Sequence, residues 1–154
     1  MTQPFAQSVA AIRSSLLAWW AENGRGEIPW KLLPGGGRPG LDHDLDPYAI
    51  WIAEVMLQQT QLLVVVPYWQ RWMKAFPAVE DLADSSLEQV RLQWQGLGYY
   101  SRVRRLHEAA QLLSPGPWPR DLASWMALPG IGRTTAGSIL SSAFNAPLPI
   151  LDGN

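Results

Sequence analysis

The sequence contains no cysteine among its 154 residues. Disulfide bonds, thiolate metal sites and cysteine nucleophiles are therefore excluded within these residues. The chain starts Met1-Thr2-Gln3-Pro4-Phe5 without a basic segment followed by an apolar one, and no later run reaches about 18 uncharged apolar residues. We predict neither a secretory signal nor a membrane span, and we expect a cytoplasmic protein.

Charged residues are also scarce, at 16% of the sequence, whereas hydrophobic residues make up 47% and there are nine tryptophans. This composition argues against disorder and predicts one compact unit over residues 1–154. The net charge of −1 gives no overall basic footprint for nucleic acid. Residues 91–154 nevertheless hold six Lys or Arg against three Asp or Glu, so any basic surface is local.

Hydrophobic residues recur at helical spacing along almost the whole chain, and no segment is predicted to be a strand. Ser85 and Glu88 form a capping-box pattern ahead of one of these helices. Residues 31–46 are rich in Gly, Pro and Asp, which predicts a long exposed loop. The first predicted helix ends at Asn23-Gly24 and the second opens at Asp46-Pro47, and others cover residues 62–76, follow Ser85, run to about Leu113, and cover 122–126 and 134–144.

A glycine-containing turn, Leu128-Pro129-Gly130-Ile131-Gly132-Arg133, lies between two predicted helices. Gly130 and Gly132 permit positive φ and close backbone approach, and the next helix presents its free amides at the same place. These features suit a phosphate cradle, and they suit a tight helix–helix turn equally well. A dinucleotide-binding fingerprint is disfavoured because Thr135 stands where its third Gly is needed.

Several segments, in the same order along the chain, resemble the adenine-specific mismatch glycosylases of MutY type. These enzymes belong to the helix-hairpin-helix DNA glycosylases related to endonuclease III. The resemblance implies an all-α helix-hairpin-helix glycosylase fold and an enzyme that hydrolyses adenine from its pairs with 8-oxoguanine or guanine. The matching segments are Pro29-Trp30, Pro47-Tyr48, Glu54-Val55-Met56-Leu57-Gln58-Gln59-Thr60-Gln61, Gly96-Leu97-Gly98-Tyr99-Tyr100-Ser101-Arg102, the glycine-containing turn and Ile150-Leu151-Asp152-Gly153-Asn154.

The resemblance assigns the chemistry to three residues. Glu54 matches the acid that protonates the departing adenine, Asp152 a carboxylate that stabilises the positively charged sugar, and Asn154 an amide that orients sugar and water. Helix spacing alone would suit a solvent-facing Glu54, and Asp152 could be a polar cap. A free Glu is protonated in only roughly one molecule in 500 at pH 7, so we expect partial burial to raise the pKa of Glu54.

The resemblance also implies a set of DNA-binding residues. Gln59 and Tyr99 match residues that fill the stack vacated by the extruded base, although a helix-end amide and a core aromatic would explain them as well. Thr134 stands where backbone-cleaving enzymes of the superfamily have a nucleophilic Lys, which implies a monofunctional glycosylase because no Schiff base can form there. The full set is Gln59, Tyr99, Arg102, Leu128, Gly130, Gly132, Arg133 and Thr134.

Members of this family continue past the segment that matches Asp152-Gly153-Asn154 into further helices and four cysteines that ligate a four-iron four-sulfur cluster. The resemblance therefore implies a catalytic region truncated before the iron–sulfur region, with the cluster ligands beyond Asn154 and no cofactor or metal bound by these residues. We expect a monomer that binds double-stranded DNA with a mispaired adenine. We also expect the first helix to expose apolar surface.

Three other functions remain open at this point. An endonuclease III-like glycosylase and lyase acting on oxidised pyrimidines is disfavoured by Thr134 and Glu54. A non-catalytic helix-hairpin-helix DNA-binding fragment would bind duplex DNA without releasing adenine. A helical protein-interaction domain would show no DNA affinity and would tolerate Gly130→Ala.

Overall fold

A computed structural model of the chain describes residues 3–40 and 42–150, and these residues form eight α-helices and no β-strand. The all-α prediction is confirmed. None of the helices in the described ranges is long and apolar enough to cross a bilayer. The helices are α1 (Gln3–Asn23), α2 (Pro47–Leu57), α3 (Leu62–Ala75), α4 (Val79–Asp84), α5 (Leu87–Trp94), α6 (Ser101–Leu113), α7 (Leu122–Met126) and α8 (Arg133–Phe144), with a 3₁₀ turn at Pro29–Lys31.

Helix α2 is the centre of the fold. It begins as predicted, because the Asp46 carboxylate accepts a hydrogen bond from the Tyr48 amide at 2.9 Å and Pro47 occupies the first turn, where its missing N–H costs nothing. Nine of its eleven residues are hydrophobic and eight are buried, and the helix packs against both α3 and α8. A helix that is apolar on nearly all sides is stable only when it is enclosed by its neighbours.

Aromatic rings fill the space around α2. Trp51 meets Trp125 at 6.3 Å between ring centroids, and Trp72 meets Trp94 edge-on at 5.7 Å. The Tyr48 hydroxyl donates a hydrogen bond to the Phe76 carbonyl at 2.9 Å, which satisfies its polar end inside the core. These rings link α2 to α3 and α7, and Trp72 links α3 to α5.

One helix start differs from its prediction. The capping box ahead of α5 consists of Ser86 and Gln89, one residue after the predicted pair of Ser85 and Glu88. The Ser85 hydroxyl instead donates to the Asp81 carbonyl at 2.7 Å, at the end of α4. The sequence contains two overlapping capping patterns, one at Ser85 and one at Ser86. Ser85 does not cap α5 because its hydroxyl is bonded to the end of α4.

The predicted exposure of the first helix is confirmed. Along the part of α1 whose side chains are described, large apolar residues stand in solvent, with exposed fractions of 55–65% for most of them. The group includes Ile12, Leu16, Leu17, Trp19 and Trp20. Helix α1 therefore keeps an apolar surface that the rest of the described chain does not cover.

The long loop after the 3₁₀ turn is tied to the end of α8. The Leu45 amide donates to the Ala143 carbonyl at 2.9 Å, and Asp44 forms an exposed ion pair with Arg120 at 2.6 Å. Within the described ranges, no group of three or more His, Asp or Glu residues is arranged to hold a metal ion. The loop thus acts as a tether between the start of α2 and the end of α8.

Candidate functional site

Glu54 is the only charged side chain of α2, and it is half-buried where α2 packs against α8. Burial raises the pKa of this carboxyl above its usual value of 4.5, while a hydrogen bond from Ser138 and the positive charge of Lys31 partly oppose that rise. The net direction is upward, so the predicted rise in the pKa of Glu54 is confirmed. The carboxyl holds a proton at higher pH than a free glutamic acid does.

Glu54 of α2 and Gln58, the residue that follows α2, face two side chains of α8. Glu54 meets Ser138, and one turn later Gln58 donates from its Nε2 to the Thr135 Oγ1 at 3.3 Å. Residues four apart on one helix and three apart on the other lie on a single face of each, so the two helices run antiparallel along this polar line. The site is thereby built on two helices, and its geometry is fixed by core packing.

The glycine-containing turn joins α7 to α8 as predicted. Gly130 has a φ of +79°, and a Cβ at that position would stand 3.0 Å from the Arg105 Cβ. Gly132 is the N-cap of α8 and contributes no capping side chain, and a Cβ there would meet open space. Arg133 and Thr134 are exposed in the first turn of α8, so the amide-bearing end of the helix faces solvent. Leu128 is half-buried at the start of the turn.

Two turns elsewhere carry non-glycine residues in the left-handed region. Gln59 follows α2 with a φ of +59°, and Tyr99 precedes α6 with a φ of +48°. Both side chains are exposed, Tyr99 to 61%. The alternative interpretation of Tyr99 as a core aromatic is therefore wrong. An exposed aromatic ring on a strained turn is typical of a binding surface.

Arg102 does not fit the predicted phosphate contact. Its side chain is 9% exposed, and its Nη atoms lie within hydrogen-bonding distance of the carbonyl oxygens of Val55, Met56 and Leu97, among others. Burial lowers the pKa of this guanidinium. A group so enclosed cannot reach a phosphate, which corrects the assignment made from the sequence.

Two predicted catalytic residues, Asp152 and Asn154, lie outside the described residues. The segment that leads toward them is described as far as Ile150. Ile150 and Pro149 lie beside Gly137 of α8, since a Cβ on that glycine would meet the Ile150 Cγ1 at 3.7 Å. Gly137 is the chain neighbour of Ser138, so this segment runs past the same stretch of α8 that faces Glu54.

Ser138 and Lys31 were missed by the sequence reasoning. Ser138 follows Thr135 by three residues on α8, a spacing that places both on the face opposite Glu54 and Gln58. That spacing could have signalled its position once α2 and α8 were known to pack together. Lys31 had no comparable signal, because only the fold of the 3₁₀ turn directs its charge toward Glu54.

An iron–sulfur cluster does not fit the residues of this chain. Such clusters are bound mainly by cysteine thiolates, and the sequence has none. The chemistry available at this site is therefore that of Glu54, Ser138, Lys31 and the backbone amides of α8.

Comparison with known proteins assigns this arrangement to a family. Residues 52–154 match the family described as HhH-GPD superfamily base excision DNA repair protein. Over 150 residues, 95% of the chain, it is 45% identical to the adenine DNA glycosylase of Mus musculus and 44% identical to that of Homo sapiens. It is 41% identical to the adenine DNA glycosylase of Buchnera aphidicola subsp. Baizongia pistaciae (strain Bp) over 91% of its length. The chain spans 28%, 27% and 38% of these relatives, respectively.

Solved structures agree on the fold. A thermostable thymine-DNA glycosylase superposes with a TM-score of 0.81 at 22% identity, over 96% of this chain and 64% of that one. A non-covalent endonuclease III–DNA complex superposes with a TM-score of 0.75, also at 22% identity and with the same coverage. The predicted helix-hairpin-helix glycosylase fold is confirmed.

Proposed function

Because the chain belongs to the HhH-GPD superfamily of base excision DNA repair proteins, we propose that it hydrolyses the N-glycosidic bond of adenine mispaired with 8-oxoguanine or guanine. The observation that carries this proposal is the half-buried Glu54, whose raised pKa suits a general acid. The adenine specificity is supported by the three adenine DNA glycosylases to which the chain is 41–45% identical.

Adenine is a poor leaving group as an anion, so its departure requires a proton. Glu54 donates that proton to the base as the glycosidic bond breaks, and the bonding electron pair leaves with the base. The sugar becomes an oxocarbenium-like cation, which Asp152 stabilises as a carboxylate. Water then adds to the sugar carbon and loses a proton to the Glu54 carboxylate, with Asn154 orienting the sugar and the water.

Ser138 and Lys31 adjust the acidity of Glu54 within this scheme. Both favour the carboxylate, while burial favours the protonated acid. The opposed influences keep the carboxyl able to release its proton to the base and to accept another afterwards.

The DNA is held by the turn between α7 and α8. The exposed amides at the start of α8, together with Arg133, suit a backbone phosphate, and Gly132 leaves the approach open. Gln59 and Tyr99 enter the stack from two neighbouring turns when the adenine is extruded. One copy of the chain carries all of these residues, so we propose that it acts as a monomer. We also propose that it works in the cytoplasm, on nucleoid DNA.

The reaction stops at base release. Thr134 occupies the first turn of α8 and has no amine, so it cannot form the Schiff base that backbone cleavage requires. Borohydride treatment during the reaction should therefore leave wild-type protein free of covalent DNA adducts. A Thr134→Lys variant provides the matched positive comparison, because it introduces an amine at that position.

Single-turnover release of adenine from a duplex with one adenine opposite 8-oxoguanine tests the proposal. Glu54→Gln should slow release by about 10²- to 10⁴-fold, the range for losing a general acid. Glu80→Gln, which changes an exposed carboxyl on α4, is the matched control and should release adenine at the wild-type rate. Equal rates for wild type and Glu54→Gln would reject Glu54 as the acid.

A further inference from the structure

Arg102 is the buried arginine of the described chain, and its guanidinium bridges two separate turns. On one side, Nη1 lies 3.0 Å from the Val55 carbonyl and 2.9 Å from the Met56 carbonyl, and it also contacts the Gln58 carbonyl. These are carbonyls at the C-terminal end of α2, which have no partners further along that helix. Arg102 thus donates hydrogen bonds to the terminal carbonyls of the helix that carries Glu54.

On the other side, Nη2 binds the turn that precedes α6. It donates to the Leu97 carbonyl at 3.2 Å and lies 3.4 Å from the Gly98 carbonyl. The same nitrogen lies 3.3 Å from the Thr60 Oγ1, which belongs to the first turn. A single guanidinium therefore binds residues 55–60 and residues 97–98 at once.

Each of these turns holds one non-glycine residue in the left-handed region. Gln59 lies between Gln58 and Thr60, both of which contact Arg102, and Tyr99 directly follows Gly98. A non-glycine residue in this region costs roughly 1–2 kcal/mol, so it persists only where its surroundings hold it. The Arg102 guanidinium also lies 5.4 Å from the centre of the Tyr99 ring.

We propose that Arg102 is a positioning residue that couples these two turns, so that Gln59 and Tyr99 enter the DNA stack as one unit. The structural coupling stands on the contacts above, and its use in base extrusion rests on the proposed function. Arginine is required because its planar guanidinium presents five donors in fixed directions, whereas the lysine ammonium is a single point charge with three donors.

Hydrogen–deuterium exchange of the full chain tests the structural coupling without DNA. In Arg102→Lys we expect residues 57–61 and 96–100 to exchange at least about tenfold faster, by similar factors, while α4 and α8 keep wild-type protection. Arg104→Lys is the matched control, because Arg104 is exposed and forms an ion pair with Glu108 at 3.8 Å. Faster exchange in one turn alone, or evenly throughout the chain, would overturn the proposal.

Thr60→Val is a milder variant that leaves Arg102 in place. It removes one acceptor from the first turn, and the proposal requires that its effect cross the guanidinium to the second turn. We expect exchange of residues 96–100 to rise by about twofold or more. A change confined to residues 57–61 would refute the coupling, even if Arg102→Lys did not fold.

A mutant cycle tests the use of the coupling in adenine release. With Arg102 present, we compare the fold loss in the adenine-release rate of the double variant, Gln59→Ala with Tyr99→Ala, with the product of the fold losses of the two single variants. The two values should differ by about fivefold or more. In the Arg102→Lys background the losses should multiply. Multiplicative losses in both backgrounds would overturn the joint role in base extrusion. If the two turns exchange together but no adenine is released, the coupling by Arg102 is supported and the proposed function is rejected. If the turns exchange independently and adenine is released normally, the coupling is rejected and the proposed function is supported.

Discussion

Glu54 carries a burial penalty whose effect on stability depends on pH. Its folded-state pKa lies above the usual 4.5, so between those two pKa values the unfolded chain loses a proton that the folded chain retains. Rising pH therefore destabilises the folded state through this group, and the penalty is complete above the folded-state pKa. Below about pH 4 both states are protonated and the penalty vanishes.

Glu54→Gln should therefore have a higher Tm than wild type at pH 7. The variant removes the charged form, so the penalty for burying it disappears. The difference in Tm should shrink as pH falls and should be absent below about pH 4. Thermal unfolding of both proteins across this pH range measures it, and a variant less stable than wild type at pH 7 would contradict the assignment.

Gly130 and Gly132 make different demands at the residue scale. Gly130→Ala places a Cβ at a φ of +79° and 3.0 Å from Arg105, so the free energy of unfolding should fall by about 1–2 kcal/mol. Gly132→Ala has open space and an ordinary φ, and it should cost about half as much or less. Urea unfolding compares them, and equal losses would show that the backbone at Gly130 is not strained.

At the scale of the elements, the sequence predicted the helices whose ends carry a capping residue or a glycine-containing turn. Asp46-Pro47 fixes the start of α2 and the glycine-containing turn fixes the start of α8, because caps and turns act over a few residues. The start of α5 was displaced because Ser85 and Ser86 both fit the capping pattern. The separate helix α4 had no such marker of its own.

The role of Arg102 could not be read from local signals. Its partners at the end of α2 and in the turn that follows lie 42–47 residues away, and its burial results from the meeting of two turns that are distant in sequence. An arginine in a basic stretch is most often solvated, so the sequence favoured a surface contact. The same limit hid Ser138, whose position opposite Glu54 depends on how α2 packs on α8.

Two tryptophans show how differently the helices depend on the core. Trp125 on α7 is fully buried, and Trp125→Ala should lower the free energy of unfolding by about 3–5 kcal/mol. Trp19 on α1 is 56% exposed, and Trp19→Ala should change it by no more than about 0.5 kcal/mol. Chemical unfolding of the two variants measures both values. A large loss from Trp19→Ala would show that α1 is packed in solution.

For the molecule as a whole, charge is distributed unevenly. The first turn of α8 belongs to residues 91–154, which hold six basic and three acidic residues. Arg133→Gln should weaken duplex binding for all sequences and lower the slope of log affinity against log salt by about one. Binding measured at several salt concentrations tests this, with Arg91→Gln on α5 as the control. If both variants have the same slope of log affinity against log salt concentration, Arg133 does not contact a phosphate.

The exposed face of α1 also gives the molecule an optical property. Trp19 and Trp20 stand in water, while Trp51, Trp72, Trp94 and Trp125 are enclosed. The indole emission of the folded protein should therefore contain two populations, of which iodide quenches only the red one. Trp20→Phe should diminish that quenchable fraction and leave the blue emission in place. Binding of a partner to the exposed face of α1 can therefore be followed as a blue shift of the indole emission.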